Sequence, residues 1–94
     1  MDTYVFVLTP EGTELVDGAH PSLEGKKLAD LKDPTGKTVA REEINAAMKD
    51  GAAWVEHYWY KPGDNRLARK QTFVRKVQSG QETYIVGSGV YLEE

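Results

Sequence analysis

The chain contains no cysteine. Disulfide frameworks, zinc–thiolate sites and cysteine nucleophiles are therefore excluded, while a cysteine-free chain suits any compartment. Two histidines, His20 and His57, are too few for a His-rich metal site. No apolar run approaches the roughly 20 residues that cross a bilayer as a helix. A basic leader region is also lacking: Met1-Asp2 leads straight into an apolar run, so no signal peptide is expected. Ser/His/acid spacing, a phosphate-cradling glycine loop and metal-ligand spacing are all missing, which argues against an enzyme and implies no cofactor.

What the sequence does have fits one domain. Its 94 residues can bury one modest core. With 29% charged and 39% hydrophobic residues, the chain has the balance of a folded protein and not of a disordered one. The net charge of −3 is unevenly spread: residues 61–76 hold six Lys or Arg against Asp64, a local +5 that leaves −8 elsewhere. Such a segment can attract an anion, although a solvated basic hairpin has the same composition. The acidic remainder opposes nucleic-acid binding.

Periodicity and turn residues mark the elements. "TYVFVL" is β-branched and aromatic and predicts a strand, "TPEG" a turn, and "TELV" a returning strand. A long segment, "DGAHPSLEGKKLADLKDPTGKT", is punctuated by Gly and Pro, with one short helical turn expected at "KKLADL" and a type I turn at "DPTG". Loops of this length are often functional. Thr38 then reads as an N-cap, Val39, Ile44, Ala47 and Met48 recur at helical spacing, and Gly51 ends the helix. Strands are expected near 53–60, 69–78 and 82–92, linked by "KPGDNRLA" and "QSGQ". The order β-β-loop-helix-β-β-β predicts an α+β fold: a five-stranded antiparallel sheet with a main helix and a long loop on one face.

The third strand, "AAWVEHYWY", is dense in aromatic rings. Strand alternation puts Val55, His57 and Trp59 on one face and Trp54, Glu56, Tyr58 and Tyr60 on the other. Neither face is cleanly polar, so both are expected to be covered at least in part. From the first strand, either Tyr4 and Phe6 or Val5 and Val7 face the same side.

In this order, "YVFVLTPEGTEL", "HPSLEGKKL", "DPTGK", "REEI", "GAAWVEHYW", "RKQTFV" and the closing "GSGVY" resemble the single Cache domains of bacterial chemoreceptors and sensor kinases. The likeness covers nearly all of residues 1–94. It implies a PAS-like fold and extracytoplasmic sensing of small molecules, often short organic acids. It further implies a periplasmic or extracellular location, a membrane-anchored parent protein and room for a homodimer. Relatives carry a long helix ahead of the first strand, and this chain starts at the strand.

The resemblance also implies site residues. Lys70 stands where the family has a lysine at the head of the fourth strand, and its ammonium suits a carboxylate; a surface lysine is the plainer reading. Trp59 matches the family tryptophan and is equally a core residue. His57 and Phe73 fall where relatives carry tyrosine, so two phenolic hydroxyls are lost and His57 would bring pH sensitivity. His20, in the "HP" segment, is either a cap on the pocket or a turn residue. Arg41 of the "RE" pair is either a carboxylate ligand or an exposed helix residue. The expected function is a ligand-binding sensor module. The alternative is a ligand-free interaction or dimerisation module that uses its aromatic face.

Overall fold

Alternating inward and outward side chains produce strands at five places: β1 (Val5–Leu8), β2 (Glu14–Asp17), β3 (Ala52–Tyr60), β4 (Leu67–Ser79) and β5 (Glu82–Leu92). One helix, α1 (Val39–Asp50), joins the first pair to the last three. The computed structural model describes residues 4–33, 35–60 and 66–92, except for the Tyr60 side chain. The expected turns at Pro62-Gly63 and at Pro34 lie on or against residues outside this set.

The sheet runs β2-β1-β5-β4-β3 with every neighbouring pair antiparallel. The meander β3-β4-β5 follows from hairpin connections, and β1 then pairs with the free edge of β5. The predicted PAS-like α+β architecture is the one observed. Gly12, at φ 100°, closes the β1–β2 turn by donating its N–H to the Thr9 carbonyl at 3.0 Å.

The helix begins at Thr38 and ends at Gly51, whose φ of 82° is readily reached only without a Cβ. Its buried stripe is Val39, Ala40, Glu43, Ile44 and Ala47. Met48, read as part of that stripe, is exposed because it sits one position past the face that meets the sheet. The stripe packs on Phe6, Leu8, Val74 and Ile85 from the strands and Leu28 from the connection.

The connection between β2 and α1 is held by side-chain caps. Asp17 Oδ1 accepts the Ala19 and His20 amides at 3.0 and 2.8 Å. Asp33 Oδ1 accepts the Thr35 amide at 2.8 Å, the Thr35 hydroxyl at 2.6 Å and the Lys37 amide at 3.0 Å. The helical turn expected at "KKLADL" is instead found earlier, as a 3-10 turn over Pro21–Leu23. Pro21 presets the first φ of that turn, whereas Lys27 is drawn into a bridge with Thr13.

The outer sheet face is not covered by any described element. Trp54 and Phe73, cross-strand partners, pack ring to ring at 5.3 Å and remain largely exposed beside Val5 and Val90. The expectation that both faces are covered is met on the helix side only.

Two glycines of β5 open room on the inner face. A Cβ on Gly87 would overlap the Phe6 ring, and one on Gly89 would lie 2.8 Å from Lys70 Cε and 2.8 Å from Thr72 Oγ1. Gly87→Ala is therefore expected to lower stability by about 1–3 kcal/mol, as overpacking does. In a urea melt the midpoint should fall at unchanged slope; an unmoved midpoint would show that the ring has space to shift.

Candidate ligand pocket

Lys70 is an unusual residue to find inside. Alternation along β4 turns Lys70, Thr72 and Val74 inward and Gln71, Phe73 and Arg75 outward. Lys70 is thereby 2% exposed, between His57 of β3 and Tyr91 of β5 in the sheet register. Its ammonium donates to the Tyr4 hydroxyl at 3.0 Å. It also lies 4.4, 5.2 and 5.5 Å from the ring centroids of Tyr4, Phe6 and Tyr91. Such cation–π contacts soften the cost of burial but do not replace hydrogen bonds. An ammonium has three N–H bonds. Among the described residues only one finds an acceptor, and no carboxylate oxygen comes within 4.0 Å of the nitrogen.

The space beside this ammonium is a cavity with about 30 Å³ of room for water-sized centres. That is more than the roughly 10–15 Å³ a single water needs. Its polar wall is Tyr4, Glu14, Asp17, Glu43, His57 and Lys70. The remaining lining is apolar or aromatic: Phe6, Leu8, Leu28, Leu31, Val39, Ala40 and Trp59. The register explains the acids. Glu14 and Asp17 of β2 sit opposite Leu8 and Phe6 of β1, so they share the inward face. Glu43 arrives from the buried stripe of α1.

Burial sets the charge states. The Glu14 carboxyl is pushed up to about 9, first by desolvation and then by its hydrogen bond to Asp17. Glu43 is pushed up to about 8 by desolvation, against the pull of Lys70. His57 is pushed down to about 4 by desolvation and then by Lys70. Lys70 itself is lowered by desolvation and held up by Glu43, Asp17 and Glu14. Tyr4 is raised by burial and by Tyr91, whose hydroxyl lies 3.2 Å away. At neutral pH the pocket thus presents two carboxylic acids and a neutral imidazole beside Lys70. The 3.8 Å approach of His57 Nε2 to Glu43 Oε2 is accordingly a contact of neutral groups and not an ion pair. No group of His, Cys, Asp and Glu able to hold a metal occurs among the described residues.

Of the residues singled out from the sequence, Lys70, His57 and Trp59 line the cavity. His20 stands behind its wall, edge-on to Tyr4 at 5.7 Å, with Nδ1 3.6 Å from Asp17 Oδ1. Phe73 does not reach the cavity: it projects from the opposite sheet face, since odd-numbered β4 residues point outward. Arg41 is also elsewhere, pairing with Asp30 at 3.0 Å on the exposed side of α1. Sequence reading missed Glu14, Asp17 and Glu43. Glu43 had a findable signal, an acid at i+4 from Val39 and i−4 from Ala47 in an otherwise apolar stripe. Of the two alternatives for the first strand, Tyr4 and Phe6 face the cavity.

A Cache domain model matches residues 1–94, the whole chain. The chain belongs to the Cache domain family. The methyl-accepting chemotaxis protein McpP of Pseudomonas putida is 27% identical over 93 residues, which are 99% of this chain and 17% of that protein. Two solved structures superpose closely. One is a periplasmic sensor domain of a chemotaxis protein (30% identity, TM-score 0.88, 97% of this chain and 62% of that one). The other is a Cache chemosensory domain described by its recognition of carboxylic acids (30% identity, TM-score 0.89, 97% of this chain and 60% of that one). This Cache chain thus spans about three-fifths of those solved domains. No helix among the described residues is long and apolar enough to cross a membrane.

The raised acids give the Cache domain an uncommon pH response. A group with a raised folded pKa stabilises below its unfolded value and loses that stabilisation as pH rises through the folded value. For Glu14 and Glu43 the loss spans from about 4.5 to about 9 and about 8 respectively. His57, with a lowered value, acts oppositely, and its contribution is lost as pH falls from about 6.5 through about 4. Above pH 6.5 only the two acids titrate among these three. The melting temperature is therefore expected to fall from pH 6.5 to pH 8. A flat or rising curve in that window would mean that the acids are already ionised in the fold, or that Lys70, lowered by burial and acting in the opposite sense, outweighs them.

Proposed function

We propose that this Cache domain is the ligand-binding sensor module of a bacterial signal-transduction protein, and that its ligand is a short monocarboxylate held by Lys70. The observation that carries the reading is the buried ammonium with two N–H bonds to spare, beside a cavity. Among the described residues, Lys70 is the sole Lys or Arg lining that cavity. A carboxylate there would make charge-assisted hydrogen bonds in a partly dry setting, where each is worth about 1.5–3 kcal/mol. The Tyr4 hydroxyl lies within the same reach. The apolar lining suits a short tail of about two to four carbons in so small a space.

Charge decides against larger anions. A dicarboxylate brings a second negative charge into the cavity, and among the described lining residues no second cation meets it. The similarity to a Cache domain described by carboxylic acid recognition supports the class, not the individual acid. In this reading residues 1–94 are one sensory domain, its parent is membrane-anchored, and the domain faces the periplasm or exterior. Ligand binding biases a two-state output by its differential affinity for the two states.

A second reading, an interaction or dimerisation module, draws on the exposed Trp54 and Phe73 on the opposite face. It leaves the buried lysine without a purpose, so it stands behind the first.

Calorimetric titration with acetate, propionate, butyrate and succinate separates these readings. Binding of at least one monoacid is expected, with succinate much weaker. Lys70→Met keeps the apolar stem and removes the charge; affinity should drop about 10–100-fold, the equivalent of one such hydrogen bond. Phe73→Ala, on the other face, should leave affinity within about two-fold. Unchanged affinity in the Lys70 variant would end the proposal.

A further inference from the structure

We propose that Glu43 binds the ligand as a carboxylic acid, donating its O–H to the carboxylate, so that at alkaline pH the ligand is taken up together with one proton. This rests on the reading of the pocket as a monocarboxylate site. It adds a second ligand-contacting residue that the sequence did not point to, and a proton to the binding stoichiometry.

The geometry comes first. Glu43 is buried, projects from α1 into the cavity that Lys70 lines, and makes no hydrogen bond to a described residue. Its one close polar neighbour is His57 Nε2 at 3.8 Å, which lies beyond hydrogen-bonding range. A buried ionised carboxylate with no donor is costly, and a protonated one is far less so. A ligand carboxylate has about four lone-pair sites. Lys70 and Tyr4 can occupy some of them from the sheet side, and a donor from the helix side completes the shell. The ionised form of Glu43 would instead repel the ligand at close range. One acid on α1 thus acts as donor or as barrier, depending on a single proton.

The surroundings favour the donor. Lys70 faces Glu43 from β4, His57 from β3, Glu14 and Asp17 from β2, and Tyr4 from the residue before β1. Tyr91 of β5 adds a hydroxyl held by Tyr4. Glu42 on its own helix and Asp17 both push the Glu43 carboxyl up, and only Lys70 pulls it down. Asp33 and Lys37 of the connection act on the neighbouring His57 in opposite senses. Desolvation is the largest influence and places Glu43 at about 8.

The linkage has a definite sign. Below that value Glu43 already carries its proton, and binding takes up almost none. Above it, each bound carboxylate must bring one proton in, and affinity falls about ten-fold per pH unit. Short carboxylic acids titrate near the reference range of about 4, so the ligand itself stays ionised throughout.

Propionate titrations in buffers of different ionisation enthalpy count the protons directly. Uptake near zero at pH 6.5 and approaching one at pH 9 is expected, with Kd about ten-fold weaker at pH 9 than at pH 7. Glu43→Gln keeps an N–H donor and cannot ionise. It should retain binding near its pH 7 strength, lose the proton uptake at pH 8, and flatten the pH profile. Infrared difference spectra of wild-type protein with ¹³C-labelled propionate should show the carbonyl stretch of a protonated side chain in the complex. That band should be absent in the variant.

Proton uptake that persists in Glu43→Gln would assign the proton to Lys70 and overturn the inference. So would wild-type binding with no uptake and no pH dependence from 6.5 to 9. If Glu43→Gln does not fold, the wild-type proton count and infrared band still decide. Binding of no monocarboxylate at any pH would instead refute the proposed function itself.

Discussion

The burial of one ammonium organises this domain. Lys70 could face solvent with a one-residue change of register, yet the pairing of β4 with β3 and β5 fixes it inward. Much of the surrounding inner face answers that charge. Three aromatic rings stand near it, a tyrosine hydroxyl accepts from it, and three acids share its cavity. None of the acids closes an ion pair with it, so the charge is softened without being neutralised. A fold optimised for stability alone would replace it with an apolar residue.

The same constraint explains the glycines and the loop. Gly87 admits the Phe6 ring and Gly89 admits the lysine stem, so β5 lies behind two of the residues that line the cavity. Asp17 has a double position. It faces the cavity from β2 and at the same time caps the first turn of the long connection. Asp17 thereby ties the cavity wall to the start of that connection, through one side chain and two amides. Asp33 plays the corresponding capping role just before α1, next to His57 in the electrostatic network.

The two faces of the sheet divide the chemistry. The inner face is polar at its centre and apolar around it. The outer face displays Trp54, Phe73, Val5 and Val90 to solvent in the described chain. Of the rings that made β3 conspicuous, His57 and Trp59 line the cavity, whereas Trp54 belongs to the opposite face. Among the described residues of the basic stretch, Lys70 is buried, Arg69 lies 3.5 Å from Glu56, and Arg75 is exposed.

Strand period, turn residues and the spacing along α1 determined the architecture: five strands, one helix, and a sheet with its helix on one side. Those are local properties, readable because side-chain alternation and cap chemistry act within a few residues. The ordered motifs singled out Lys70, Trp59 and His57 by resemblance. Only the tertiary structure decided the rest of the site. Glu14 and Asp17 come from β2 and Glu43 from α1, elements far apart in sequence, and nothing local tells an acid that will be buried from one on the surface. Phe73 and Arg41 looked equivalent to true lining residues until strand parity and helix rotation turned them away. Charge state was decided there too: Glu43 and His57 are neutral at pH 7 because burial penalises their charged forms, and burial is a property of the whole fold.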